Sequence, residues 1–171
     1  MSNARLFLGL FPDEPVRRDL AAWRDAWKWP RSATPVRTER LHLTLHFIGD
    51  VERERVPELA QALREPFDHV EMRFGRAVLW PHGVAVLEPD QLAPGLADLH
   101  AALAGILDAH CLPVDARPYR PHVTMARRAV GALAPSDGPA IAWPLDRYAL
   151  MESTVGADGG YTLVEEYWAS R

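Results

Sequence analysis

The most constraining feature of this sequence is a short pattern that occurs twice, 80 positions apart. Residues 41–45 read Leu-His-Leu-Thr-Leu and residues 121–125 read Pro-His-Val-Thr-Met, so a histidine and a threonine alternate with apolar residues each time. Such alternation is typical of a β-strand with one buried face. Because a helix candidate precedes each copy, the repeat favours a duplicated arrangement of strands and helices.

Each copy presents an imidazole and a hydroxyl side by side. Successive side chains of a strand point to opposite faces, so His42 and Thr44 share one face while the apolar residues between them face the core. His122 and Thr124 share the corresponding face of the second copy. Side chains on strands are held more rigidly than side chains on loops, which suits groups that must be positioned for chemistry.

The same alternation gives expectations for three neighbouring residues. His46 shares the face of His42, where we expect either exposure to solvent or contact with a substrate. Phe47 falls on the inward face and is expected in the core, although an exposed ring there could stack on a nucleobase. Arg127 also has inward parity, so a role for it at the site requires a bulge or a strand that ends after Thr124.

Hydrophobic periodicity predicts strands and helices that interleave along the chain. Strands are predicted over residues 5–11, 41–48, 70–79, 84–87, 118–127, 143–151 and 161–168, and helices over 13–29, 57–63 and 92–110. A hairpin around residues 81–83 and a turn over residues 156–160 favour antiparallel pairing. The pattern therefore indicates an α+β or α/β fold with mostly antiparallel strands.

Length and composition narrow the class of protein. A chain of 171 residues fits one domain, or two small lobes that share a core. It contains no run of 18 apolar residues that would predict a membrane-spanning helix, and its first residues are not typical of a secretory signal. Cys111 is the only cysteine, which excludes an intramolecular disulfide. We therefore expect a cytoplasmic protein with no membrane partner, and we expect it to be a monomer.

The charges favour a small anionic ligand over a long nucleic-acid duplex. A net charge of -4 is not typical of proteins that grip duplexes, which present broad basic surfaces. Lys28 is the only lysine among 19 basic residues, and the planar fork of arginine suits phosphate recognition. Genome composition also produces arginine richness, so this feature permits a local phosphate site without requiring one.

Two imidazoles with adjacent hydroxyls suit the chemistry of phosphate esters. The unperturbed pKa of histidine lies near neutrality, so one ring can be neutral while a second is protonated. In-line displacement at phosphorus needs such a pair, because a base takes a proton from the attacking oxygen while an acid protonates the departing one. Threonine hydroxyls can donate hydrogen bonds to the phosphate oxygens that are not displaced.

The motifs His-Leu-Thr-Leu and His-Val-Thr-Met-Ala-Arg resemble those of the two-histidine (2H) phosphoesterases. The match is closest to the RNA 2′,3′-cyclic phosphodiesterases, also described as LigT-like 2′-5′ RNA ligases. The similarity covers nearly the whole chain, with supporting segments at residues 5–10, 41–49, 120–127 and 148–167. The resemblance implies a single α+β domain over residues 1–171. In it, two intertwined, pseudo-symmetric lobes with antiparallel sheets and outer helices would flank a central groove.

The resemblance also implies an activity. Members of the family open a terminal 2′,3′-cyclic phosphate on RNA and leave a 2′-phosphate, and in reverse they form a 2′-5′ linkage. By family roles His42 would be the general acid on the departing 3′ oxygen, and His122 the general base on water. Thr44, Thr124 and Arg127 would bind the phosphate. The expected partners are RNA ends with a cyclic phosphate or small cyclic nucleotides, and no metal or other cofactor is implied.

Three alternatives stay open on the sequence alone. A metal-dependent phosphohydrolase could use His42, His46 and carboxylates, but residues 117–134 contain no aspartate or glutamate to complete such a site. A binding module of the same fold could hold nucleotides or RNA ends without turnover. An enzyme of this type could also act on a different cyclic phosphate, such as a derivative of ADP-ribose.

Overall fold

The computed structural model describes residues 2–156 and 159–170. Within these residues the strands are β1 (Asn3–Leu10), β2 (Thr34–Pro35), β3 (Leu43–Glu52), β4 (Val70–Trp80), β5 (Val84–Pro89), β6 (Val123–Arg127), β7 (Ile141–Leu145), β8 (Arg147–Ser153) and β9 (Tyr161–Trp168), and the helices are α1 (Glu14–Ala26), α2 (Val56–Ala62) and α3 (Pro94–Ala109). No helix in this part of the chain has both the length and the apolar character of a membrane span.

The strands form one antiparallel sheet made of two halves. The order is β7-β4-β5-β6-β3-β1-β8-β9, and β2 pairs with the free side of β6. The chain builds β1 and β3 in one half, crosses to build β4 to β7 in the other, and returns for β8 and β9. The halves meet where Leu43 of β3 lies opposite Val123 of β6. The predicted antiparallel α+β class is confirmed.

The helices and one face of the sheet enclose the main core. Helix α3 contributes a stripe of buried leucines at helical spacing, as predicted for residues 92–110: Leu96, Leu99, Leu103 and Leu107. A smaller apolar cluster lies on the other face, where Phe11 and Tyr161 pack against Phe7, Ala149 and Met151. This second cluster lies beneath one side of the groove described below.

One predicted strand is in fact two. Residues 143–151 read as one continuous apolar segment, but β7 ends at Leu145 and β8 begins at Arg147. β7 pairs with β4 at one edge of the sheet, whereas β8 lies between β1 and β9 in the other half. The prediction was wrong because hydrophobicity does not show where a chain changes neighbours. The turn predicted over residues 156–160 includes residues 157 and 158, which lie outside the described residues.

The first motif strand contains a β-bulge at Leu45. Between Thr44 and His46, strand β3 advances two residues while β1 advances one, so the alternation of faces is reversed for the residues that follow, up to a second register shift between Phe47 and Gly49. His46 consequently turns towards the core and is 4% exposed, while Phe47 turns to the other face and is 57% exposed. Both residues had been assigned to the opposite faces from ideal alternation, and both assignments were wrong for this reason.

The second motif strand contains the same bulge at Met125. Between Thr124 and Ala126, strand β6 advances two residues while β5 advances one. The bulge turns Arg127 to the face that carries Thr124. From the sequence, Arg127 could lie at the site only if the strand contained a bulge or ended after Thr124, and the bulge is present. Residues 41–47 and 121–127 also share one burial pattern, with five buried or half-buried positions followed by a buried and an exposed one.

We expect the seam between the two halves to be sensitive to truncation. Leu43 is fully buried at the seam, so Leu43→Ala should lower the free energy of unfolding by about 2–5 kcal/mol through lost contacts and a residual cavity. Chemical denaturation measures this loss. The matched control is Leu163→Ala on β9, where the side chain is 53% exposed and the change should cost less than about 0.5 kcal/mol. Equal losses in the two variants would contradict this account of the seam.

Candidate active site

The two motifs line one cavity of about 480 Å³ in the groove between the halves of the sheet. Its walls include all four polar side chains of the repeat, His42, Thr44, His122 and Thr124. Because β3 and β6 are antiparallel where they meet, the histidine of each copy lies on the side of the threonine of the other. Groups that are 80 positions apart in sequence therefore face one enclosed space.

Both histidines are held in the same way by the backbone. Nδ1 of His42 lies 2.7 Å from the carbonyl oxygen of Arg40, and Nδ1 of His122 lies 2.8 Å from that of Arg120. A carbonyl oxygen only accepts hydrogen bonds, so each Nδ1 carries the proton and donates it. Nε2 is then the nitrogen that is free to accept or donate a proton in chemistry. In the first copy it lies 3.1 Å from the hydroxyl oxygen of Thr44.

Aromatic rings surround His42. Phe11 stacks on the imidazole with centroids 5.2 Å apart, Phe7 lies tilted at 5.3 Å, and Tyr161 presents its edge at 5.2 Å. Burial among these rings lowers the pKa of His42, and the nearby positive charges of His122 and Arg127 lower it further. The hydrogen bond to the Arg40 carbonyl opposes this shift. The site thus favours the neutral form of this imidazole.

The environment of His122 differs in its charge. The ring packs on Trp80 with centroids 4.3 Å apart. Burial lowers its pKa, and the positive charges of Arg127 and Arg120 act in the same direction. The Arg120 carbonyl and the carboxylate of Glu88 oppose them. A negative charge therefore acts on the second histidine, whereas only positive charges are found acting on the first within the described residues.

The cavity is positively charged. Its lining includes Arg37, Arg40, Arg127 and Arg128, and no carboxylate lines it among residues 2–156 and 159–170. Arg128 is oriented by a hydrogen bond of 2.6 Å to the hydroxyl oxygen of Thr34. Like charges that converge on one space repel each other, so this lining favours an anion in the cavity. The local charge is opposite in sign to that of the whole chain.

A second cavity of about 280 Å³ opens on the other side of His42 and Thr44. Its walls include Arg5, Phe47 and Arg127, and the guanidinium of Arg5 lies 5.2 Å from the centre of the Phe47 ring. Arg127 and His42 line both cavities, so the two spaces adjoin at the motif residues. The exposed face of Phe47 is thus part of the groove because of the bulge at Leu45.

A stack of rings behind the first motif fixes its strand. His46 lies 4.0 Å from His100 of α3, and His100 lies 3.8 Å from Tyr119, as centroid distances. The Tyr119 hydroxyl donates a hydrogen bond of 3.1 Å to the backbone oxygen of Thr44. Burial and the neighbouring His46 lower the pKa of His100 to about 4.

The alternative of a metal-dependent phosphohydrolase required His46 as a metal ligand beside His42, and His46 does not face the cavity. His46 was to act beside His42, but it faces the core and its Nε2 lies 2.8 Å from the backbone oxygen of His100. Within residues 2–156 and 159–170, no three histidine, cysteine, aspartate or glutamate side chains come together as a metal site. Among the described residues, the other polar side chains that line the cavity carry hydroxyl or guanidinium groups.

The sequence did not indicate several residues that shape the site. Trp80, Glu88 and Tyr161 come from strands far from either motif in sequence. The one available signal was Glu88, a carboxylate that directly follows the apolar segment predicted as a strand over residues 84–87. A charged residue in such a position is buried only with partners, so it indicates either the end of a strand or a functional contact.

Comparisons with known proteins show a family and a fold that the chain shares with them. The family model described as LigT-like phosphoesterase matches residues 10–86. The chain is 31% identical to an RNA 2′,3′-cyclic phosphodiesterase of Thermus thermophilus, over 95% of the chain and 89% of that protein. It is 28% identical to an Escherichia coli protein of the same name, over 90% and 86%. A crystal structure of E. coli LigT complexed with 3′-AMP has the same fold, with a TM-score of 0.86, 24% identity and coverage of 99% and 100%.

The environments of the two imidazoles predict how they titrate. Because burial lowers both pKa values, His42 and His122 should each lose their proton below the ordinary value of about 6.5 in the free protein. An added phosphate anion should raise both values, since an opposite charge favours the protonated ring. Nuclear magnetic resonance of the ring nitrogens measures this, with His42→Gln and His122→Gln assigning the signals. Values above 6.5 in the absence of phosphate would contradict the burial seen here.

Proposed function

The chain belongs to the LigT-like phosphoesterase family, and on this premise we propose that it hydrolyses 2′,3′-cyclic phosphate ends of RNA to 2′-phosphate ends. The observation that carries the proposal is the convergence of His42, His122, Thr44, Thr124 and Arg127 on one cavity. Relatives from two bacteria bear this activity in their names, which supports the choice of substrate.

The proposed reaction is an in-line displacement at phosphorus. Nε2 of His122 takes a proton from water as the water oxygen bonds to phosphorus, and the bond from phosphorus to the 3′ oxygen breaks. Nε2 of His42 gives its proton to that departing oxygen. One water is consumed, and the products are a 2′-phosphate and a 3′-hydroxyl. Exchange of protons with solvent then restores the starting state, with His42 protonated and His122 neutral.

The surroundings of His42 suit the role of acid. Proton donation leaves this imidazole neutral, and rings such as Phe11 and Tyr161 favour the neutral form because they solvate a charge poorly. The substrate phosphate supplies the negative charge that keeps the ring protonated until it reacts. The Thr44 hydroxyl oxygen lies 3.1 Å from Nε2, beside the proton that is transferred, and the hydroxyl can donate its own proton to a phosphate oxygen.

Arg127 and the two threonines complete the phosphate site in this proposal. Charge shifts onto the phosphate oxygens in the transition state, and preorganised donors stabilise it without having to reorganise. The bulge at Met125 brings Arg127 to the face of Thr124, and its guanidinium can offer two parallel hydrogen bonds to a phosphate. We therefore assign Thr44, Thr124 and Arg127 to phosphate binding.

The rest of the groove favours a nucleotide strand as substrate. A single cyclic phosphate requires only some of the four arginines of the main cavity, and further phosphates of an RNA strand would neutralise the others. On the other side of His42 the exposed ring of Phe47 offers a face on which a base can stack. Small cyclic nucleotides would occupy part of the same groove.

Three further statements belong to the same proposal. The reverse reaction would join a cyclic phosphate end to a 5′-hydroxyl as a 2′-5′ linkage through the same groups. Acid–base catalysis by two imidazoles needs no metal ion. A cytoplasmic location and a monomeric state follow from the sequence alone and stay predictions.

The direct test uses an oligonucleotide with a 2′,3′-cyclic phosphate in the presence of EDTA. We expect it to be converted to a 2′-phosphate end at a rate that EDTA does not change. His42→Ala and His122→Ala should each lower the rate by about 10²–10⁴-fold, because each removes one proton transfer. Thr44→Ala should cost less, since one donor among several is lost.

The matched control is His69→Ala, which removes an exposed histidine that pairs with Glu71 away from both cavities. It should keep the full rate. Loss of activity in EDTA with recovery on adding a divalent cation would favour the metal-dependent alternative. Tight binding of the oligonucleotide with no turnover by the unmodified protein would favour the binding module.

A further inference from the structure

His42 and His122 each have an arginine and an aromatic ring as neighbours, and the two sites differ by one carboxylate, which is found beside His122. In each copy the arginine two positions earlier lies over an aromatic ring that touches the histidine. Arg40 lies 5.7 Å from the centre of Tyr161, and Arg120 lies 4.6 Å from that of Trp80. On the second side Glu88 of β5 joins this group. No carboxylate contacts Arg40 among residues 2–156 and 159–170.

Glu88 is a buried carboxylate that contacts one indole and two arginines. The residue is 4% exposed, and the indole N–H of Trp80 donates to its Oε1 at 2.8 Å. Arg120 contacts the same oxygen at 2.6 Å, and Arg76 approaches Oε2 at 3.8 Å. A carboxylate in such a place is costly unless it is paired and hydrogen-bonded, so these partners are held firmly in position.

Two of these partners are the groups that hold His122. The ring of Trp80 packs on the imidazole at 4.3 Å. The backbone oxygen of Arg120 accepts the hydrogen bond from Nδ1 at 2.8 Å. Glu88 therefore contacts two residues that hold the imidazole: Trp80, whose ring packs on it, and Arg120, whose carbonyl sets its tautomer.

We propose that Glu88 is a positioning residue for His122, which it orients through Trp80 and Arg120 and whose positive charge it stabilises as the imidazole takes a proton from water. The inference rests on the proposed function, in which His122 is the base. A base becomes positive during the reaction, and a nearby carboxylate lowers the energy of that state.

Glu88 supplies the negative charge that favours the protonated form of His122 against several positive charges. The charged and titratable groups that act on it are Glu88 from β5, Arg120 from the segment before β6, Arg127 from β6 and, across the seam, His42. Glu88 is the one negative charge in this set. Without Glu88, every charge in this set is positive and opposes the protonated ring, so the imidazole becomes a weaker base.

The test is Glu88→Gln, which keeps the shape of the side chain and an oxygen for the Trp80 indole but removes the charge. We expect kcat for a cyclic-phosphate oligonucleotide to fall between about 10-fold and about 100-fold, with little change in KM. The pKa of His122, measured by nuclear magnetic resonance of the ring nitrogens, should fall. The acid limb of the kcat/KM profile should move to lower pH with it.

The control is Glu152→Gln, which removes another carboxylate paired with an arginine, Arg53, away from both cavities. It should leave kcat and the titration of His122 unchanged. A Glu88→Gln protein with the titration and pH profile of the unmodified protein would overturn the inference. If Glu88→Gln does not fold, Trp80→Phe keeps an aromatic side chain at this position and removes the indole N–H that donates to Glu88. It should lower kcat without raising KM, and an unchanged kcat would overturn the inference.

Failure of the inference and failure of the proposed function have different signatures. The titration of His122 needs no turnover, so a shift in Glu88→Gln supports the positioning role even if the unmodified protein does not hydrolyse the oligonucleotide. Hydrolysis by the unmodified protein together with an unshifted His122 in Glu88→Gln overturns the inference alone.

Discussion

The pairing of Leu43 with Val123 is the contact on which the site depends. It joins the two halves of the sheet, and both residues are buried in the common core. The motif histidines directly precede these residues, so the seam that closes the sheet also brings the two imidazoles to one cavity. Stability and site geometry are thus set by one antiparallel contact between segments that are distant in sequence, and the core behind it keeps that contact in register.

Two structurally equivalent motifs are placed in unequal environments. Each imidazole donates Nδ1–H to the carbonyl oxygen two positions earlier, and each strand has a bulge after its threonine. The side chains that surround the two imidazoles differ, however. Apolar rings favour the neutral form of His42, while Glu88 favours the protonated form of His122. A duplicated geometry with divergent surroundings can therefore supply an acid and a base to one phosphorus, which is the division of labour the proposed reaction requires.

Local patterns predicted most of the elements, whereas bulges and buried partners needed the structure. Periodicity was sufficient for the antiparallel α+β class and for the leucine stripe of α3. It failed at Phe47 because one extra residue in a strand reverses the faces of the side chains that follow it, and sequence does not show where that residue falls. The structure brings His42, His122 and the motif threonines into one cavity, and their catalytic roles stay predictions. Glu88 was missed because its role depends on contacts with residues of other strands.

The most direct test of the central claim is the pH dependence of kcat/KM for a cyclic-phosphate oligonucleotide. Two imidazoles in opposite protonation states give a bell-shaped profile whose maximum lies between their two pKa values in the free protein. Since burial lowers both values, the maximum should lie below about pH 6.5, and His122→Ala should remove the acid limb. A profile that is flat between about pH 5 and about pH 8 would contradict the participation of two titrating histidines.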